Sequence, residues 1–214
     1  MKVTLPGPMT IVDTLLDEHY GEDAATLAKR FAELLNAEAR ELQAAGAGII
    51  QFDEPCFNIY LEQVAEWGIA TLERCVEGLT VTTAVHICYG YGIPVTLAWK
   101  SQNRDWSHYG VTLPLLAKSR INQVSVECAA SGVDVSVISE LKGKDVMLGV
   151  IDVGTDEVET TELVASQIRK AMQHVEPERL YPCTDCGLAP RSRAVAREKM
   201  RALAAGASMV RKEL

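Results

Sequence analysis

The residues with the most chemical potential recur at the ends of short apolar runs. His86 and Cys88 stand two apart at the end of Val81–Cys88. Glu127 sits near the end of Gln123–Cys128, Asp53 closes Gly48–Asp53, and Asp152 closes Val146–Asp152. Cys186 falls just beyond Leu180–Cys183. Alternate residues of a strand share a face, so a His-x-Cys pair offers an imidazole and a thiol from one side. His86, Cys88, Glu127 and Cys186 together make an N/S/O set suited to tetrahedral Zn2+, and the soft thiolates favour zinc over magnesium. Two thiolates and a carboxylate outweigh the metal's charge. Such a centre activates water poorly but keeps a further bound thiolate electron-rich. The implied chemistry is alkyl transfer to a thiol substrate. Hydrolysis is better served by neutral histidine ligands.

Positioning these groups requires strand ends that converge. The pattern alternates βα about six times, with strands expected at 2–5, 48–53, 81–88, 123–128, 146–152 and 180–183. Helices are expected at 23–45, 61–78, 111–119, 133–142, 157–175 and 191–206, the last stopped by Gly206. Residues 93–110 read as a loop with a short insert. Strands separated by helices imply a parallel sheet with right-handed crossovers. Its two solutions are a doubly wound sheet or a (β/α) barrel. The first strand is not followed by GxGxxG or a Walker loop. In a barrel, polar groups gather at the C-terminal strand ends, as they do here. A single domain over residues 1–214 is expected.

The composition narrows the classes. The 214 residues are 48% hydrophobic and 23% charged, with formal charge −8, which describes a folded chain. Acidic balance argues against nucleic acid as a partner. No apolar run reaches membrane-helix length, and the N-terminus shows no secretory signal, so a cytoplasmic location is expected. Six cysteines then read as thiols or ligands before disulfides. Cys56, Cys75 and Cys128 read as buried thiols. Cys183 and Cys186 form a CxxC for which a redox pair stays open. Arg191, Arg193, Arg197, Lys199 and Arg201 read as a solvated helix face, or a surface that steers an anionic donor.

Asp53-Glu54-Pro55, Val85-His86-Ile87-Cys88-Tyr89, Val126-Glu127, Gly149–Val153, Asp185-Cys186-Gly187-Leu188 and the opening Leu5–Thr10 lie in ordered register across the chain. Together they resemble the cobalamin-independent methionine synthase family, in particular its catalytic C-terminal barrel and short core-type relatives. The resemblance implies a (β/α)8 TIM-type barrel with zinc on His86, Cys88, Glu127 and Cys186. It implies homocysteine as methyl acceptor, with Asp53 holding its ammonium group. The methyl donor is methyltetrahydrofolate or a methylated corrinoid protein. Asp152 supports the site from its strand end.

Three departures qualify the likeness. The family's PGPxT turn comes after two βα units, yet here it lies at residue 5, so an incomplete barrel, or one completed by a partner chain or oligomer, is expected. The position of the family's proton-donating histidine is Gly154, and an acidic folate-binding position is Ile59. Both departures fit a donor whose leaving group takes no proton, such as a corrinoid. His108 or His174 is an alternative proton donor. Two other readings stay open: a zinc-dependent methyltransferase for another thiol, and a zinc-binding barrel module inactive without a partner.

Overall fold

The computed structural model describes residues 1–91, 100, 102 and 105–214. Among the described residues six strands carry the fold: β1 (Lys2–Pro6), β2 (Ile49–Asp53), β3 (Thr82–Ile87), β4 (Gln123–Val126), β5 (Asp145–Ile151) and β6 (Leu180–Thr184). They follow one another through the sheet in chain order. The architecture is α/β, and most of the segment expected as a loop at 93–110 lies outside the described residues.

By its contacts the chain forms two compact units, residues 1–87 with 108–124, and residues 88–107 with 125–214. In the first, β1 pairs β2 and β2 pairs β3, all parallel. Helix α1 (Pro8–Thr14) follows β1 at once, with Pro8 at its first turn. Proline is compatible with a first helical turn, because its missing N–H has no partner there in any case. Helix α2 (Ala24–Ala44) starts where Asp23 accepts the Thr26 N–H at 2.9 Å. Its buried stripe is Leu27, Ala28, Ala32, Leu35 and Ala39. Alanines provide much of the packing, while Leu34 is 66% exposed.

The next helical stretch runs as α3 (Leu61–Gln63), a π turn at Val64–Gly68 and α4 (Ile69–Cys75). Gly68 permits a close approach, since a Cβ there meets Met9 Cε at 2.9 Å. Helix α5 (Tyr109–Lys118) completes this unit.

In the second unit β5 pairs β6 in parallel. The helix expected at 133–142 is a 3-10 segment, Val135–Glu140, begun by Asp134. Helix α6 (Thr161–Ala171) is capped by Thr160 and buries Val164, Ala165, Ile168 and Ala171. Helix α7 (Arg193–Arg211) is capped by Ser192 and buries Lys199, Ala202, Gly206 and Val210. Two expectations are corrected here. Gly206 does not end the helix but lies inside it, where α7 packs on α6. Lys199 does not face solvent but is fully buried.

Candidate active site

The parallel register sets the first half of the site. Pro6 pairs with Asp53, and Asp53 pairs with His86. Neighbouring strands lie about 4.8 Å apart, so Asp53 and His86 stand side by side at adjacent strand ends. Asp53 is half-buried, and the Gln51 amide donates to its Oδ1 at 2.7 Å. This partner on the same strand face aims the carboxylate.

Glu54, the next residue, turns the other way and is fully buried. It accepts from the Met9 and Thr10 N–H groups at 3.0 and 2.9 Å and from the Thr10 hydroxyl at 2.7 Å. It is thus an N-terminal cap for α1 supplied from a distant strand. Gly7 carries no side chain because a Cβ would overlap the Glu54 carboxylate. Burial pushes the Glu54 carboxyl up to about 7 against those three hydrogen bonds. The sequence reading quoted Glu54 but gave it no role.

Cys88 and Cys186 come together in the second unit, with their sulfurs within 4.8 Å. The Cys186 thiol, through a hydrogen bond, raises the Cys88 thiol well above its ordinary range, and burial adds to this. A pair of this kind holds its protons until a cation is supplied. His86 lies two residues before Cys88 in the chain, at the end of β3. The donors are one imidazole and two thiols, which fits zinc and fits magnesium poorly. The thiol shown beside Cys186 is Cys88, which lies outside its CxxC.

Glu127 is fully buried in the same unit. Its carboxylate pairs with Lys100 Nζ at 2.5 Å and accepts the Tyr89 N–H at 3.0 Å. The Lys100 ammonium also lies 3.4 Å over the Tyr91 ring. Asp152 is half-buried at the end of β5. Its Oδ1 accepts the Gly154 N–H at 2.6 Å, and its own N–H donates to Glu159 at 2.8 Å. Its carboxylate therefore closes its own turn. Glu159 also pairs with the buried Lys199 at 3.1 Å, and Lys199 donates to the Glu157 carbonyl as well.

Asp185, like Glu54, has no role assigned from the sequence. It is fully buried, and burial followed by the Glu127 charge pushes its carboxyl up to about 7. It accepts N–H groups from Cys128 at 3.1 Å, Ala129 at 3.0 Å and Ala130 at 2.6 Å, and the Tyr91 hydroxyl at 3.3 Å. The adjacent Cys186 in the quoted motif was the available signal. The spacing carried no sign of which loop Asp185 would hold.

The other candidates lie elsewhere. His108 precedes α5, and His174 is exposed in the turn after α6. Ile59 is 63% exposed. A side chain at Gly154 would meet Asp152 Oδ1 at 3.0 Å and Tyr91 Cε1 at 3.3 Å. Of the aromatic residues at 91–109, Tyr91 and Tyr109 are buried, Trp106 packs edge-on against Tyr89, and Trp99 lies outside the described residues.

Polar groups gathered at the strand ends of a parallel α/β sheet, with a thiol pair among them, define a barrel-type protein with a candidate thiolate metal centre. The chain belongs to the cobalamin-independent methionine synthase family, whose catalytic-domain profile matches residues 1–209. A B12-independent methionine synthase from Shewanella sp. W3-18-1, solved with selenomethionine, superposes with TM-score 0.95 at 52% identity, over 99% of this chain and 62% of that one. The fold is that (β/α) barrel type, with six strands here. A methionine synthase of Saccharolobus islandicus (strain Y.G.57.14) is 32% identical over all of this chain and 59% of its own length. One from Sulfurisphaera tokodaii is 29% identical over 58% of its length. The chain thus spans less than two thirds of these relatives. A methyltransferase from Methanosarcina mazei shares the fold alone, with TM-score 0.64 at 17% identity.

Proposed function

We propose that this chain binds zinc through His86, Cys88, Glu127 and Cys186 and transfers a methyl group to the homocysteine thiol, making methionine. The observation that carries this reading is the meeting of the Cys88 and Cys186 thiols with His86 two residues away on the strand. Zinc bound there supplies an incoming thiol as its thiolate at neutral pH. Asp53 holds the ammonium group of the amino acid by a charge-assisted hydrogen bond, and Gln51 keeps its carboxylate aimed. Asp152 shapes the turn after β5, whose Gly154 N–H it holds.

The donor is methyltetrahydrofolate or a methylated corrinoid. Gly154 carries no proton donor, and Asp152 and Tyr91 already crowd the position. This favours a corrinoid, whose leaving group takes no proton.

The test measures zinc per chain on the wild type and on Cys186→Ser, then methyl transfer to homocysteine from each donor. About one zinc per wild-type chain, reduced in the variant, with transfer from methylcorrinoid, is the expected result. Metal-free wild type would overturn the zinc reading. Zinc bound without transfer, restored by an added partner chain, would favour the module reading. Activity toward another thiol that survives Asp53→Ala would point to a different acceptor.

A further inference from the structure

Two of the proposed donors, Glu127 and Cys186, follow β4 and β6, so a rigid centre needs their separation fixed. A single side chain spans that gap. Asp185, the residue before Cys186, sends both carboxylate oxygens to the main chain immediately after Glu127. Oδ1 takes the Cys128 and Ala129 N–H groups, and Oδ2 takes the Ala130 N–H. The Tyr91 hydroxyl donates to Oδ2 as well.

The path exists because β5 carries Gly149 at this point. A Cβ there would overlap Asp185 Oδ1 and would lie 2.9 Å from the Val126 carbonyl. A missing side chain in one strand thus lets the carboxylate of the next reach the loop beyond. Three backbone N–H groups converging on one carboxylate form an anion-binding concavity filled from within the chain. A carboxylate is acceptor-only, so it meets every one of these donors without conflict.

We propose that Asp185 is a positioning residue that sets the spacing of Glu127 and Cys186, and thereby the affinity and geometry of the metal centre. It touches neither metal nor substrate; it acts through the 128–130 main chain. The inference rests on the zinc reading above. Partners outside the ligand set commonly tune a metal site in this way, and their loss typically costs roughly 10–100-fold in affinity.

The test is Asp185→Asn in the full chain. Asparagine keeps the shape but turns an NH2 group toward at least one backbone N–H, so the tie is broken without a cavity. Three readouts are compared with wild type: amide hydrogen exchange at 128–130 in metal-free protein, zinc affinity by chelator competition, and the visible spectrum of the cobalt-substituted protein. Faster exchange at 128–130, about 10–100-fold weaker zinc and an altered thiolate–cobalt spectrum are expected. A variant with wild-type affinity and an unchanged cobalt spectrum would overturn the proposal. If wild type takes up no zinc, the zinc reading fails, and exchange at 128–130 alone decides whether the tie exists. Should Asp185→Asn fail to fold, Tyr91→Phe removes one donor from Oδ2 and must weaken zinc in the same direction, or the proposal fails.

Discussion

A buried carboxylate is tolerable only when its surroundings supply donors, and Glu54 shows the balance. Three donors at the start of α1 favour its charge, while burial opposes it more strongly and brings the carboxyl to about 7. The folded chain therefore keeps a proton that the unfolded chain releases near 4.5. Stability from this group is fully present below pH 4.5, falls as pH rises toward 7, and is level above. A rise of that size corresponds to about 3 kcal/mol. Urea unfolding between pH 5 and 8 checks it: Glu54→Gln makes this part of the profile shallower, leaving the slope that Asp185 contributes, and an unchanged slope would refute the assignment. Lys199 poses the opposite problem. Lys199→Met leaves Glu159 partly buried without its cation and costs about 3–5 kcal/mol, read as a lowered urea midpoint. Its burial was illegible in the sequence, where it sits among Arg191, Arg193, Arg197 and Arg201 and so looks like surface. Its ion-pair partner is Glu159, in the segment before α6 and 40 residues away in sequence. Asp53, His86 and Cys88 were legible because strand alternation is local and their polar side chains interrupt apolar runs.

Elements were read well where periodicity is long and capped locally. Helix α2 begins at its Asp23 cap, as expected, and all six strands fall within two residues of expectation, whereas α6, expected from 157, starts only after its Thr160 cap. Errors arose where a distant element decides. Helix α1 is short, and Glu54 caps it from β2. Gly206 looked like a stop, because glycine weakens a helix interior by about 1 kcal/mol relative to alanine. Here it is a contact point. A Cβ at 206 would lie 2.5 Å from Val164 Cγ1 and 3.1 Å from the Thr161 carbonyl. Valine is stiff about χ1 and a carbonyl in the first turn of α6 yields little, so overpacking outweighs the gain in helix propensity. Gly206→Ala is expected to lose about 1–3 kcal/mol by thermal or urea denaturation. Stabilisation instead would show that α6 and α7 part easily.

At the scale of the molecule, metal and fold are coupled. Cys88 and Cys186 are distant in sequence and meet only in the folded chain, so zinc held as proposed would favour the folded state. Free zinc at 100 times its dissociation constant stabilises by about 2.7 kcal/mol. For a domain of this size that is roughly a 5–10 °C rise in Tm. Differential scanning fluorimetry with and without zinc is the measurement. Wild type is expected to show the rise and Cys186→Ser to lose most of it. Asp53→Ala is expected to keep the rise while losing methyl transfer to homocysteine, because Asp53 is assigned to the substrate and not to the metal. That separation matters more than the shift itself. A rise abolished by Asp53→Ala would place this carboxylate among the metal's ligands, which its register beside His86 makes a physical alternative. A rise that survives Cys186→Ser in full would mean zinc settles on other donors, and the thiol pair would then be only buried sulfur at a strand end.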